Sequence, residues 1–338
     1  MAVVSVACSG GRKSSAPSTT AASTSTTAAA TTTTTVAPTY PLTGMPATNA
    51  VQQASPAVVI KIDNVVQARP QTGLDYADVV YDAEVEGGLT RLAAVYQSAY
   101  PAVVGPVRSG RLTDEGVADD LNHPVLVISG ANAIFLPQLQ AQPVTLVTDT
   151  NHPEQFARVG NNIPHNLFSN IAQLAALSTT HTAPNPIFTF LREGQTFTGA
   201  GVAPASAVSF GFPAASVQWT WDTAKKQWDR FQDGTPDVLT DQHQISATNV
   251  MIYFIPYITS GLATGEGVAP APIPMGILTG TGNVWVFSGG KVVKGTWHRP
   301  NLTTPATYTD STGQPIAITP GNTWVELAPV GTVPAITP

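Results

Sequence analysis

Residues 79 to 96 read VVYDAEVEGGLTRLAAVY, and this stretch limits the fold more than any other. Apolar and polar side chains alternate on both sides of Gly87-Gly88. A period of two marks strands, and a glycine pair accepts the positive φ of a tight turn. A two-residue turn there predicts that Glu86 faces Leu89, Val85 faces Thr90, Glu84 faces Arg91, Asp82 faces Ala93 and Tyr81 faces Ala94. One face then carries Tyr81, Ala83, Val85, Leu92, Ala94 and Tyr96, and the other carries Asp82, Glu84, Glu86 and Arg91. The apolar face demands a packed layer; the charged face demands partners.

Charge is scarce elsewhere. Charged residues make up 11% of the 338, against a usual share of about 25%. Residues 61 to 120 nevertheless hold 15 of the 36 formal charges: ten acids and the five bases Lys61, Arg69, Arg91, Arg108 and Arg111. A second charged stretch, GPVRSGRLTDEG at 105 to 116, supplies two of those arginines. The concentration points to a network or a polar cleft rather than a solvating coat. The net charge of −6 argues against a nucleic-acid partner, which calls for a basic face. No apolar run reaches the roughly 18 residues that a membrane-crossing helix needs.

Residues 1 to 11, MAVVSVACSGG, resemble the end of a bacterial lipoprotein signal, with Cys8 as the residue that would be acylated. Seven preceding residues are too few for a charged region and a full apolar region, so the stretch reads as the tail of a longer signal. Ser5 departs from the aliphatic residue usual at that place. Residues 14 to 37 are almost wholly Ser, Thr, Ala and Pro. Such a tract has nothing to bury against the entropy of ordering and reads as a disordered stalk. A lone cysteine excludes an intrachain disulfide framework.

Along the remainder, AVVIKID at 57 to 63, VLVIS at 125 to 129 and VTLVT at 144 to 148 read as strands. A helix is expected from near Thr113 to Leu121, another around Pro137, and an amphipathic one over HNLFSNIAQLAALS at 165 to 178. From about 187 aromatics, valines and turn residues take over. WTWDTAKKQWDRF, NVMIYFIPY, NVWVFSGGKVVKGTW and TYTDSTGQPIAI read as strands and hairpins, with a long exposed loop near 261 to 276. The expected class is α+β: a layered α/β domain over 40 to 186, then a smaller, mainly β domain over 187 to 338, with residues 1 to 39 as anchor and stalk. The six tryptophans sit mostly at strand positions and read as core rather than as a sugar platform.

The stretch ADVVYDAEVEGGLTRL followed by VGPVRSGR resembles the YerB-like bacterial lipoproteins, a family of domains of unknown function. PLTG near the start of the fold and GTW and PGNTWVELAP near its end resemble it too. The resemblance spans nearly all of residues 40 to 330. It implies an α/β domain joined to a smaller β-rich one, held outside the cytoplasmic membrane by an acylated cysteine, which matches Cys8. It implies no activity.

The candidate site is Glu84, Glu86, Arg91, Arg108 and Arg111, with His165-Asn166 near its rim. Arginine forks engage carboxylates or anionic ligands at two points. Three readings follow. The cluster binds a ligand or partner, such as a cell-wall fragment or an envelope protein. Alternatively, Glu84 and Glu86 divide acid and base roles in a hydrolase acting on a wall polymer. In the third, the charges are internal ties of a scaffold. Motifs for serine hydrolases, zinc proteases, phosphate loops and dinucleotides are missing, so no cofactor is expected. The histidines are scattered without metal spacing, so no metal is expected either.

Overall fold

The structure is a computed structural model that describes residues 38–263 and 272–338, together with Ala7 and Gly11. Cys8 and nearly all of the Ser/Thr/Ala tract lie outside the described residues. Residues 37–338 form one compact unit.

Eleven strands of that unit build a central mixed sheet: Ala203–Pro204, which pairs at the side with Lys291–Arg299, and ten that form one continuous path. The ten are β1 (Val58–Asp63), β2 (Val79–Glu84), β3 (Thr90–Tyr96), β4 (Val125–Ile128), β5 (Thr145–Thr148), β6 (Asn249–Ile255), β7 (Gly280–Ser288), β8 (Lys291–Arg299), β9 (Thr307–Asp310) and β10 (Thr323–Pro329). Their order is β9-β8-β7-β6-β10-β2-β3-β1-β4-β5. Strand β10, the last of this sheet along the chain, lies between β2 and β6 and runs parallel to both. Both halves of the sequence therefore share one sheet. Six of the seven β10 residues are buried, as expected of a strand covered on both faces.

Alternation sorts the side chains of this sheet into two layers. Val80, Leu92, Ala94, Ile252 and Trp324 face a second sheet and pack with its Val208, Val217, Trp219 and Trp228. That second sheet is built on Ala207–Phe212, Ala215–Asp222 and Gln227–Gln232, paired antiparallel. On the opposite face Tyr81, Ala83, Ala93, Val95, Met251, Val325 and Leu327 pack under the short helix α1 (Thr113–Ala118), which contributes Val117 and Ala118. Four tryptophans, Trp219, Trp228, Trp297 and Trp324, are buried as core residues, while Trp221 and Trp285 are half-buried.

The hairpin at 79 to 96 forms, but one residue out of the expected register. Glu84 pairs with Thr90, Ala83 with Arg91, Asp82 with Leu92 and Tyr81 with Ala93. The turn is wider than two residues: Glu86–Gly88 form a three-residue loop in which Gly87 and Gly88 are left-handed, closed by Val85 N donating to Leu89 O at 2.8 Å. The expected facing of Glu84 and Arg91 is thereby corrected. A slip of one moves a residue to the other face, and Arg91 lies with Ala83 rather than with Asp82 and Glu84.

The layered α/β expectation is met only in part. The helix near Thr113 and the one containing Pro137 (Leu136–Ala141) form, yet no α-helix among the described residues exceeds six residues. The predicted 165 to 178 helix is a strand, Leu167–Ser169, followed by a helix over Ile171–Ala175. Asn170 separates them: its backbone is extended, and its Oδ1 accepts from Gln173 N at 3.1 Å as an N-cap. The exposed loop expected near 261 to 276 is in part a strand pair, Tyr257–Ala263 with Pro272–Gly276, and its residues 264–271 lie outside the described residues.

Candidate functional site

Two charged networks occupy opposite faces of the central sheet. The first is sealed. Asp82 on β2 and Glu326 on β10 are register partners, so their side chains share a face. Across the layer, Arg230 donates to Asp82 Oδ2 at 2.7 Å and to Asp237, with its Nε 3.7 Å from Glu326 Oε1. The guanidinium also sits 4.8 Å from the Trp324 ring centroid, and Trp219 Nε1 donates to Glu326 Oε1 at 2.9 Å. Arg230, Asp82 and Glu326 are all 0% exposed. Burial and the charge of Asp82 push the Glu326 carboxyl up to about 8. No ligand reaches this network without unfolding the layer.

The second network is partly open. It begins with Lys61 and Asp63 on β1 and Arg91 on β3; Asp63 and Arg91 are direct cross-strand partners. The segment carrying Arg108 and Arg111 is laced against the ends of β1 and β4. Arg108 N donates to Lys61 O at 2.8 Å, Ser129 N to Arg108 O at 3.0 Å, and Gly110 N to Gly130 O at 2.9 Å. Asp114, in the first turn of α1, accepts from Arg111 N at 2.7 Å and from Lys61 Nζ at 2.5 Å. These backbone ties fix where each arginine starts.

The side chains then converge. Arg111 clamps Glu86 with Nε 2.7 Å from Oε1 and NH2 2.8 Å from Oε2. Burial pushes Glu86 up, but hydrogen bonds and charge from Arg111 outweigh it and hold the carboxyl below the usual range. Arg108 Nε lies 2.9 Å from Asp63 Oδ2, an ion contact rather than an aligned hydrogen bond. His165 Nδ1 is 2.7 Å from that same Asp63 oxygen. Arg91 donates to Ser109 O at 2.9 Å and, among the described residues, has no carboxylate within 4 Å. Burial, reinforced by the charge of Arg111, lowers its guanidinium to about 10.

Of the five residues that the sequence singled out, the structure brings together Glu86, Arg91, Arg108 and Arg111. Glu84 stands apart. Its strand face is that of Asp82, and its carboxylate has neither a cation within 4 Å nor a hydrogen bond among the described residues. Burial raises it. It lines a separate cleft of about 430 Å³ with Tyr257, Thr259 and Pro274. Sequence reading missed Lys61, Asp63 and Asp114 as members of the open network, and the whole Arg230 network. The available signal was a charge inside an apolar strand: Lys61 and Asp63 in VVIKID, Arg230 in QWDRFQ, Glu326 in TWVELAP. Among the described residues no group of three or more His, Cys, Asp or Glu side chains could hold a metal ion, and no helix is long and apolar enough to cross a membrane.

Two family models match the chain. Residues 42–184 match "Protein of unknown function (DUF3048) N-terminal domain", and residues 208–325 match the corresponding C-terminal domain. The chain belongs to the DUF3048 family. The crystal structure of YerB protein from Bacillus subtilis superposes with a TM-score of 0.73 at 22% identity, covering 88% of this chain and 99% of that one. A curated relative, "Putative lipoprotein YerB" of Bacillus subtilis (strain 168), is 46% identical over 71 residues. That alignment spans 21% of each chain, about a fifth of the relative. The DUF3048 description names no activity, so the chemistry of the open network has to be argued from its own residues.

Proposed function

We propose that this DUF3048 protein is an envelope lipoprotein, acylated at Cys8 and held outside the membrane, whose folded body binds an anionic ligand at the Arg91–Arg108–Arg111 cluster. Three supports converge on the anchor: the sequence around Cys8, the Ser/Thr/Ala tract that follows it, and similarity to a relative named as a lipoprotein. The ligand assignment rests on Arg91. The open network holds four bases, Lys61, Arg91, Arg108 and Arg111, against three carboxylates, Asp63, Glu86 and Asp114. Lys61, Arg108 and Arg111 each have a carboxylate, and Arg91 is the surplus cation. In a chain with a net charge of −6, a surplus guanidinium that is mostly buried but still partly exposed, beside a second one that is 25% exposed, suits an anionic group. An anionic cell-wall fragment, or an acidic segment of an envelope partner, supplies such a group.

Calorimetric titration with inorganic phosphate and pyrophosphate tests the arginine cluster. The expected result is saturable binding that weakens at least about tenfold in Arg91→Ala, the loss of one charge-assisted contact. Equal binding by wild type and variant would assign the surplus charge no role. Labelling with a radioactive fatty acid, comparing wild type with Cys8→Ala expressed behind a full signal, tests the anchor.

The hydrolase reading keeps one favourable observation, the opposed shifts of Glu84 and Glu86. Both Glu86 oxygens, however, are engaged by Arg111, and Glu84 faces a different cleft. Binding is the better-supported reading.

A further inference from the structure

The residue of the open network that ion pairing leaves unexplained is His165. It sits in the loop between Phe156–Arg158 and Leu167–Ser169, and its backbone N donates to Asn162 O at 2.7 Å. The next residue, Asn166, is 2% exposed and anchors the loop by accepting from Arg158 NH1 at 2.9 Å and donating to Gly160 O at 2.8 Å. The imidazole is thus delivered to a fixed place. There Nδ1 meets Asp63 Oδ2 at 2.7 Å, and Asp63 is 1% exposed. A buried carboxylate accepting from Nδ1–H holds the ring in one tautomer and turns the Nε2 lone pair outward. Among the described residues Nε2 has no hydrogen-bond partner, and the side chain is 16% exposed. The same Asp63 oxygen anchors Arg108, and Asp63 lies directly across from Arg91.

We propose that Asp63 and His165 form a general-base pair that makes the arginine cluster a hydrolytic site for phosphodiesters, Arg91 and Arg108 holding the phosphoryl oxygens. This inference rests on the anion-binding reading above and adds chemistry to it. Two guanidinia fit the two non-bridging oxygens of a phosphodiester, whereas one fork already satisfies a carboxylate. In the step, water attacks phosphorus and its proton passes to Nε2 of His165. The bond from phosphorus to the leaving alcohol oxygen breaks on the opposite side, that oxygen takes its proton from solvent, and Nε2 afterwards releases its own proton to solvent. The products are an alcohol and a phosphomonoester, which loses the second water proton to solvent. Asp63 is a positioning residue: it orients the ring and stabilises the imidazolium that forms between the two transfers.

The test uses the purified chain with bis(p-nitrophenyl) phosphate for turnover and inorganic phosphate for affinity. Wild type should release p-nitrophenol. His165→Ala should lose at least about 100-fold in kcat, the usual share of a general base, while its phosphate Kd stays within about twofold. Added imidazole should restore part of the rate, a response that a purely structural histidine would not give. His165→Gln, closer in shape, serves if the alanine variant melts early. Phosphate binding without turnover by wild type, or unchanged turnover in both variants, overturns the catalytic inference and leaves the binding reading standing. No phosphate binding by wild type overturns both.

Discussion

Arg91 stands directly across from Asp63 in neighbouring strands, yet the Asp63 carboxylate is spent on Arg108 and His165, and among the described residues Arg91 keeps only a backbone carbonyl, Ser109 O. An opposed acid and base on one sheet face would ordinarily pair, for about 0.2–1 kcal/mol. Here the loop carrying Arg108 is tied to β1 through Lys61 O, and it brings a second guanidinium within reach of the acid. The surplus charge therefore follows from the backbone course of residues 106 to 110.

That difference separates two arginines that look alike in sequence. Arg111→Ala leaves Glu86, which is half-buried, without its clamp and should destabilise by about 1–3 kcal/mol. Arg91→Ala removes no ion pair and should change stability by less than about 1 kcal/mol. Urea denaturation of the two variants decides. Equal losses would mean that Arg91 has a structural partner.

The sealed network should behave as a lock. Arg230 is 0% exposed and its removal strands Asp82 and Asp237. Breaking such a buried set from one side costs about 3–5 kcal/mol. Lys225→Ala, which loses only exposed contacts with Asp222 and Asp229, should cost less than about 0.5 kcal/mol. The same denaturation measurement compares them.

The lock also sets a pH dependence. Burial raises Glu326 to about 8, Asp119 and Asp120 to about 7, and Asp78 to about 6. Below the ordinary carboxyl range all four are protonated whether folded or not, and their contribution is fully present. As pH rises, the unfolded chain releases these protons first, and the contribution is lost through the folded values. Carboxyls held low, such as Glu86 and Asp310, change only below the usual range, outside this window. The melting temperature should therefore fall between pH 5.5 and 8.5, on the order of 5 °C or more. Glu326→Gln should be nearly neutral below the ordinary carboxyl range, increasingly stabilising as pH rises above it, and should flatten the slope. A melting temperature that rises over this range would contradict the assignment.

How much of this was legible in the sequence depends on how far apart the partners lie. The hairpin at 79 to 96 was legible because alternation and Gly87-Gly88 are local signals. Its register was not. The turn takes Val85 to Leu89 rather than two residues, and composition does not distinguish the two widths. Glu86 with Arg111 was legible because two charge-dense segments lie 25 positions apart. Arg230 with Asp82, 148 positions apart, meets only because the second sheet packs on the first. The same holds for β10, whose insertion between β2 and β6 unites both halves of the chain.

The wide turn makes its own prediction. Gly87 and Gly88 both have positive φ, at 73° and 71°. A Cβ on Gly87 meets nothing within 4 Å, whereas one on Gly88 would lie 2.6 Å from Pro213 Cβ. Gly87→Ala should cost about 1 kcal/mol from backbone strain alone, and Gly88→Ala more. Thermal melts of both variants check the ranking.

The central claim is that Arg91 is a cation held ready for an anion. A crystal soaked in tungstate, a tetrahedral oxyanion visible by anomalous scattering, tests it most directly. The account predicts an anomalous peak between the Arg91 and Arg108 guanidinia that disappears in Arg91→Ala. A peak only at other sites, or an Arg91 side chain already bonded to a carboxylate, would contradict it.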